Sequence, residues 1–252
     1  MLKNKSIEFS IIGAGRFGMF WAKHLNKYFP VSMYDIDPHK ENVVNEVAQW
    51  ADLASCLDKN FIFLKVPIRN IVPFIREHKD KFQTGTTIID CASIKEPVMK
   101  WILDDLPEGV FYIASHPLFG PDSARTGLKD HIITVIPGRV PYQNYNFLVN
   151  FFEQKLNLRV ENMPASEHDR LMAYNLSLIH HLGRTFNKMN ISRVPLMMDS
   201  LSKLNSISKV VMNDSEELFT DFYTFNRFSK EVTDKFKEQF ELVVNEQKFT
   251  KD

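Results

Sequence analysis

The run Ile7-Glu8-Phe9-Ser10-Ile11-Ile12-Gly13-Ala14-Gly15-Arg16-Phe17-Gly18 decides the fold of this chain. Its first half is short and apolar, as a strand buried on both faces must be. Its second half places three glycines in the pattern G-x-G-x-x-G, and Phe17, Phe20, Trp21 and Leu25 then recur at helical spacing up to Tyr28. A strand that turns on glycine straight into a helix opens a dinucleotide-binding βαβ unit. The first glycine allows the turn, the second bares backbone to a pyrophosphate, and the third lets helix and strand pack closely. The helix N-terminus adds unpaired amides and a partial positive charge. Gly13, Gly15, Arg16, Phe17 and Gly18 are therefore candidate cofactor contacts. Asp35 ends the next apolar run, Val31 to Tyr34, twenty residues beyond Gly15. A carboxylate there can bind the adenosine ribose and repels a 2′-phosphate, which favours NAD over NADP. Asp37 is the backup for that role. Arg16 complicates the choice, since a guanidinium in the loop can touch phosphate or stay solvated.

Outward from this motif, apolar runs alternate with helical stretches. Phe61 to Val66, Thr86 to Asp90, Val110 to Ala114 and Ile132 to Ile136 read as further strands. Short apolar strands separated by crossovers imply an α/β fold, a Rossmann-type doubly wound and mainly parallel sheet. The texture changes after Leu158-Arg159-Val160, and no strand pattern follows Ser166. Ser166-Glu167-His168-Asp169 fits a capping box that starts a helix running to about Met189. A second helical pattern spans Asp214 to about Asn245 and carries Leu218, Phe222, Phe225, Val232, Phe236 and Phe240. We thus expect a dinucleotide-binding domain over 1–163 and a smaller all-helical domain over 164–252. The phenylalanine stripes of the helical part suggest a homodimer formed through it; packing on the sheet domain is the alternative.

The 252 residues carry 31 basic and 31 acidic side chains. With no net charge there is no global field for nucleic acid or an acidic membrane surface, so any anion must be held locally. Cys56 and Cys91 form no metal-binding spacing, and no metal site is expected. Met1 to Lys5 lacks the order of a signal peptide, and no apolar run reaches membrane-spanning length. A cytoplasmic protein is the expectation, with Lys248 to Asp252 as a frayed end.

In doubly wound sheets the ligand lies across the carboxyl ends of the strands. Val66-Pro67, Asp90-Cys91-Ala92-Ser93-Ile94-Lys95 and Ala114-Ser115-His116-Pro117-Leu118-Phe119-Gly120-Pro121-Asp122-Ser123 all belong there. Val66 and Pro67 should border the cofactor, while Ser93, Lys95 and His116 should converge beside its nicotinamide. An imidazole suits proton removal because its ordinary pKa lies near neutrality. The bland alternatives are that His116 caps a turn and that Lys95 is a surface lysine. On the first long helix, Ala173, Ser177, His180 and Arg184 share one face, leading small or polar groups to a histidine and an arginine. Arg184 can anchor a carboxylate through two parallel hydrogen bonds, or pair with an acid on the helices.

The glycine loop, Asp90-x-x-Ser93-x-Lys95 and His116-Pro117-Leu118-Phe119-Gly120-Pro121 resemble, in order and spacing, the prephenate/arogenate dehydrogenase family of tyrosine biosynthesis. Glu167-His168-Asp169-Arg170, His180-x-x-Gly183-Arg184 and Asn213-Asp214-Ser215 through Phe225-Asn226 resemble its helical-domain signatures. The phenylalanine and second proline of the histidine turn look more like the arogenate-using branch. The resemblance implies NAD(P)-dependent oxidative decarboxylation of a cyclohexadienol dicarboxylate or its amino analogue. Hydride leaves the carbinol carbon for the nicotinamide, a base takes the hydroxyl proton, and loss of carbon dioxide aromatises the ring. By the same resemblance His116 is the base, Ser93 bonds the hydroxyl or the carboxamide, and Lys95, Ser177, His180 and Arg184 serve the substrate. One departure stands out. Where many bacterial prephenate enzymes carry an arginine in the late helix, this chain reads Phe219-Thr220-Asp221. Asp221 or Asp122 could instead face the amine of arogenate. The alternatives are another hydroxy-acid dehydrogenase or imine reductase, and a non-catalytic NAD sensor.

Overall fold

A computed structural model describes residues 7–246, so Met1 to Lys5 and the tail from Lys248 lie outside the described residues. The chain divides into two compact units, Met1–Pro164 and Ala165–Asp252. Among the described residues no helix is long and apolar enough to cross a membrane.

The first unit is one eight-stranded sheet with helices between its strands. β1 (Phe9–Ile12), β2 (Val31–Tyr34), β3 (Gln49–Trp50), β4 (Phe61–Leu64), β5 (Thr87–Asp90), β6 (Phe111–Pro117), β7 (Ile132–Pro137) and β8 (Arg159–Glu161) stand in the order 3-2-1-4-5-6-7-8. All pairs are parallel except β6 with β7. The central strands are buried throughout their length, as their unbroken apolar runs require. The interposed helices are α1 (Arg16–Leu25), α2 (Glu41–Val44), α3 (Leu53–Leu57), α4 (Ile68–His78), α5 (Glu96–Asp105) and α6 (Tyr142–Gln154). Strand order reverses between β1 and β4, which makes the carboxyl ends of these two strands the topological switch point.

An aromatic core fills one face of the sheet. Phe9 stacks on Phe61 and Phe63 with centroids 5.3 and 5.9 Å apart, and Trp21 of α1 meets Phe63 edge-on at 6.0 Å. Phe151 and Phe152 of α6 close the same cluster. Aromatic pairs at these distances contribute about 0.5–1.5 kcal/mol each beyond their burial.

The second unit is helical: α7 (Ala165–Met172), a π-helical segment (Ala173–Leu178), α8 (Ile179–Lys188), α9 (Asp199–Val211), α10 (Glu216–Phe225) and α11 (Ser229–Glu246). Two expectations need correction. Ser166 lies inside α7, which starts at Ala165 directly after Pro164, a residue with no amide hydrogen to leave unpaired. The long pattern from Asp214 to Asn245 is two helices broken at Asn226. There the side chain accepts from the Phe228 amide at 3.0 Å and donates to the Asp169 carbonyl at 2.7 Å, so α11 starts afresh.

Candidate active site

Gly13 adopts φ +111, and a Cβ built on it would stand 2.5 Å from the Lys65 carbonyl oxygen. A Cβ on Gly18 would stand 2.0 Å from the Gly13 carbonyl oxygen. These two glycines are therefore demanded by the packing of loop, helix and β4. Gly15 is different: a Cβ there would meet nothing within 4 Å, so the space above it is open. It precedes α1 with no side-chain cap and no acid in the first turn. A bare backbone, an open approach and uncapped helical amides fit the pyrophosphate of a dinucleotide.

Asp35 lies just beyond β2 with its carboxylate turned back on the loop. It accepts from the Ala14 amide at 2.6 Å and the Asp37 amide at 2.9 Å, and it pairs with Lys40 at 3.0 Å. Burial pushes its pKa up, but the Asp37 amide, the Lys40 ammonium and the Ala14 amide outweigh that and hold it below the usual carboxylate range. Asp37 caps the 3-10 turn Pro38–Lys40 by accepting from the His39 amide. Arg16 does not stand free for phosphate: its guanidinium meets Asp122 at 2.9 Å. Asp122 also holds Arg125 at 3.3 Å, so this carboxylate is already matched by two cations and is a poor partner for a substrate amine. Phe119 is buried between Phe17 and Trp21 of α1, with centroids 6.4 and 6.1 Å away, so the segment after β6 lies back over α1. Phe17 is half-buried in that cluster, while Val66 and Pro67 follow β4 and lead into α4.

His116 sits near the end of β6, paired in register with Thr134 of β7 and only 7% exposed. Beneath it runs a fully buried polar network. Lys95 donates to Asp90 Oδ1 and, at 2.7 Å, to the Ser115 carbonyl. Tyr112 donates to Asp90 Oδ2 at 2.6 Å, and Ser115 Oγ donates to the Asp90 carbonyl at 2.7 Å. Burial, then the Asp90 charge, raises the Tyr112 pKa well above its ordinary value, so the phenol stays a donor. This network grips the residue directly before His116. It also corrects an expectation: Lys95 is 0% exposed, and its ammonium is spent inside the protein rather than offered to a substrate carboxylate. Ser93, half-buried, lies on the loop between Asp90 and Lys95.

Within the helical unit, Ala173, Ser177, His180 and Arg184 do share one buried face. Ser177 is committed there, its hydroxyl bonded to Ser229 and 3.4 Å from the Phe222 carbonyl, so it is not a substrate contact in this arrangement. His180 Nε2 lies 3.4 Å from the Asp214 carboxylate, its ring stacked on Phe219 at 6.0 Å, while Nδ1 is buried without a hydrogen-bond partner among the described residues. Arg184 stacks on Phe219 at 4.6 Å, pairs with Glu216 and reaches the Asp214 carbonyl at 3.1 Å. Asp221 is buried within α10 at 1% exposure.

Residues 22–155, more than half of the chain, match the family model of the prephenate dehydrogenase nucleotide-binding domain. The chain belongs to the prephenate dehydrogenase family. A second model, the TYRAAT1-like C-terminal domain, matches residues 185–250. A Methanocaldococcus jannaschii protein named "Probable arogenate/prephenate dehydrogenase" is 28% identical over 97% of this chain and 58% of its own length. Arabidopsis thaliana arogenate dehydrogenase 1 is 22% identical over 93% of this chain and 38% of its own length. This prephenate dehydrogenase family member thus spans little more than half of the first relative and less than half of the second. Among solved structures, Aquifex aeolicus prephenate dehydrogenase, bound to hydroxyphenyl propionate and NAD+, superposes with a TM-score of 0.75 at 16% identity. That match covers 98% of this chain and 93% of the other, and establishes a shared fold.

Sequence reasoning missed three features of this family member's site. Tyr112 was read only as a strand residue and Asp90 was given no role of its own, yet they carry the buried network. The Arg16–Asp122 pair joins two segments that sequence reading treated separately. Lys65 was passed over, although a lysine that closes the wholly apolar strand Phe61–Leu64 was itself a signal.

Proposed function

We propose that this protein is a nicotinamide-dependent dehydrogenase that oxidises and decarboxylates a cyclohexadienol, prephenate or arogenate, on the way to tyrosine. The observation that carries the reading is His116 at the carboxyl end of β6, its predecessor Ser115 pinned by Lys95 and Asp90, in a domain built on the glycine loop. Gly13, Gly15, Gly18 and the first amides of α1 would hold the dinucleotide, whose nicotinamide supplies a hydride acceptor. His116 accepts the proton of the substrate hydroxyl, and Ser93 orients that hydroxyl. The rigid strand behind His116 holds the imidazole in place, so little reorganisation is needed when the proton moves. Loss of carbon dioxide then makes the reaction irreversible.

Asp35 favours NAD, since its carboxylate would repel a 2′-phosphate, while Lys40 paired with it at 3.0 Å draws the other way. Arg184 remains our candidate for a substrate carboxylate. The Glu216 side chain it now holds is 78% exposed, so an incoming carboxylate could replace it without opening the core. The buried Nδ1 of His180 on the same face would serve the same ligand. Exposed Phe240, Leu242, Val243 and Val244 on α11 support a homodimer through the helical unit, which sedimentation would test.

Nicotinamide reduction followed with prephenate and arogenate in parallel, and with NAD and NADP, tests the reading. Turnover of either substrate that disappears in a folded His116→Asn variant supports it. Dinucleotide binding with no turnover of either compound would refute it and favour a different hydroxy acid or a sensor.

A further inference from the structure

Lys65 directly follows β4 at the topological switch point, and its carbonyl oxygen is the atom that forbids a side chain on Gly13. Its ammonium nitrogen is buried and meets no hydrogen-bond acceptor among the described residues. It lies instead over aromatic faces, 4.1 Å from the Phe17 centroid, 5.2 Å from Trp21 and 5.7 Å from Phe63. Cation–π contacts offset only part of the cost of removing an ammonium from water. The nearby polar groups supply only part of the rest. Asp90 already holds Lys95 and the Ala92 amide on one oxygen and Tyr112 on the other, and the Cys91 thiol, beside the ammonium, is a weak acceptor that also lies 3.4 Å from Ser115 Oγ. Burial pushes the Lys65 pKa down, Cys91 and Asp90 push it back up, and Lys95 opposes them. A cation kept here with no anion is poised for one that arrives.

We propose that Lys65 is a pyrophosphate-binding residue, which pairs with the phosphates that the glycine loop and the first turn of α1 bring to its side. Phe17, on which the ammonium rests, belongs to that same first turn, and a four-carbon stem lets the charge swing from the ring to its neighbouring amides. The assignment rests on the dinucleotide reading above, and it adds a cation to a loop whose own guanidinium, Arg16, is paired with Asp122.

The test compares Lys65→Met with the wild-type chain by thermal unfolding and by calorimetric titration with adenosine, ADP-ribose and NAD. Pyrophosphate binding predicts that ADP-ribose and NAD weaken about tenfold or more, as loss of one charge-assisted hydrogen bond implies. Adenosine should change less than twofold, about a limit of measurement. The melting temperature should hold or rise, because the change removes a buried cation with no acceptor. Lys65→Arg, which keeps the charge, should retain most of the affinity. If Lys65→Met does not fold, Lys65→Gln carries the same comparison. ADP-ribose affinity equal to wild type in a folded, uncharged variant overturns the assignment. So does a raised KM for the cyclohexadienol with ADP-ribose unchanged, which would make the substrate the anion served. A wild-type chain that binds no ADP-ribose would sink the dinucleotide reading itself, a failure visible before any variant is made.

Discussion

Replacing Lys95 by methionine separates the role the structure gives this residue from the role its motif suggests. The stem is kept and the ammonium is lost, so packing changes little while Asp90 loses the cation that is hydrogen-bonded to it. Both side chains are 0% exposed, so no water replaces the missing charge. Breaking a buried pair from one side costs about 3–5 kcal/mol. Asp90 keeps the Tyr112 hydroxyl at 2.6 Å and the Ala92 amide at 2.8 Å, which places the expected loss near the lower end, about 3 kcal/mol. For a domain of this size that is a fall in melting temperature of roughly 9 °C. The Ser115 carbonyl also loses its donor, so the strand carrying His116 should loosen.

The assay is urea unfolding of Lys95→Met, of Asp90→Asn and of the double variant, followed by circular dichroism. The double variant should recover part of the loss, because a neutral amide replaces the stranded carboxylate. Steady-state kinetics on whatever remains folded should show kcat falling more than the KM for substrate rises. A Lys95→Met protein within about 1 kcal/mol of wild type, the scale of an exposed ion pair, but with a sharply raised KM, would refute the buried-pair reasoning and return Lys95 to the substrate.

Three further outcomes follow from the same geometry. Gly18→Ala would place a methyl 2.0 Å from the Gly13 carbonyl oxygen, so titration should show dinucleotide affinity weakened about tenfold or more, together with a lower melting temperature. Asp35 has a folded-state pKa below its ordinary 3.8, so its contribution is complete above that value and is lost as pH falls through the depressed one. Asp35→Asn should therefore flatten the acid limb of a stability-against-pH curve and leave the alkaline limb alone. Burial pushes the Cys56 thiol up to about 12, so iodoacetamide at neutral pH should leave Cys56 unlabelled in the folded protein and label it after denaturation.

The strands of the sheet could be read from the chain because β1, β4 and β5 are buried on both faces and must therefore be apolar without interruption. β3 and β8 could not, since two or three partly exposed residues carry no period. The break between α10 and α11 was invisible for a different reason. The phenylalanine stripe continues through it, and the turn is made by Asn226 bonding to a carbonyl 57 residues away. The same division runs through the candidate site. Gly13 and Gly18 were legible because local geometry dictates them, a turn and a close packing, whereas the strand expected to end at Ala114 runs on through His116 to Pro117, paired there with β7. The partners of Lys95, Ser177 and Arg184 were not legible, because residue type gives a charge or a hydroxyl but not what it meets. Tyr112 lies 22 positions from Asp90, Ser229 lies 52 from Ser177, and Glu216 lies 32 from Arg184. Those partners decide whether each group faces a ligand or the interior. Lys65 is the reverse case. Its ammonium rests on aromatic rings, and nearby Asp90 is already held by Lys95 and Tyr112, which makes it a candidate for a ligand that neither its residue type nor its motif would have suggested.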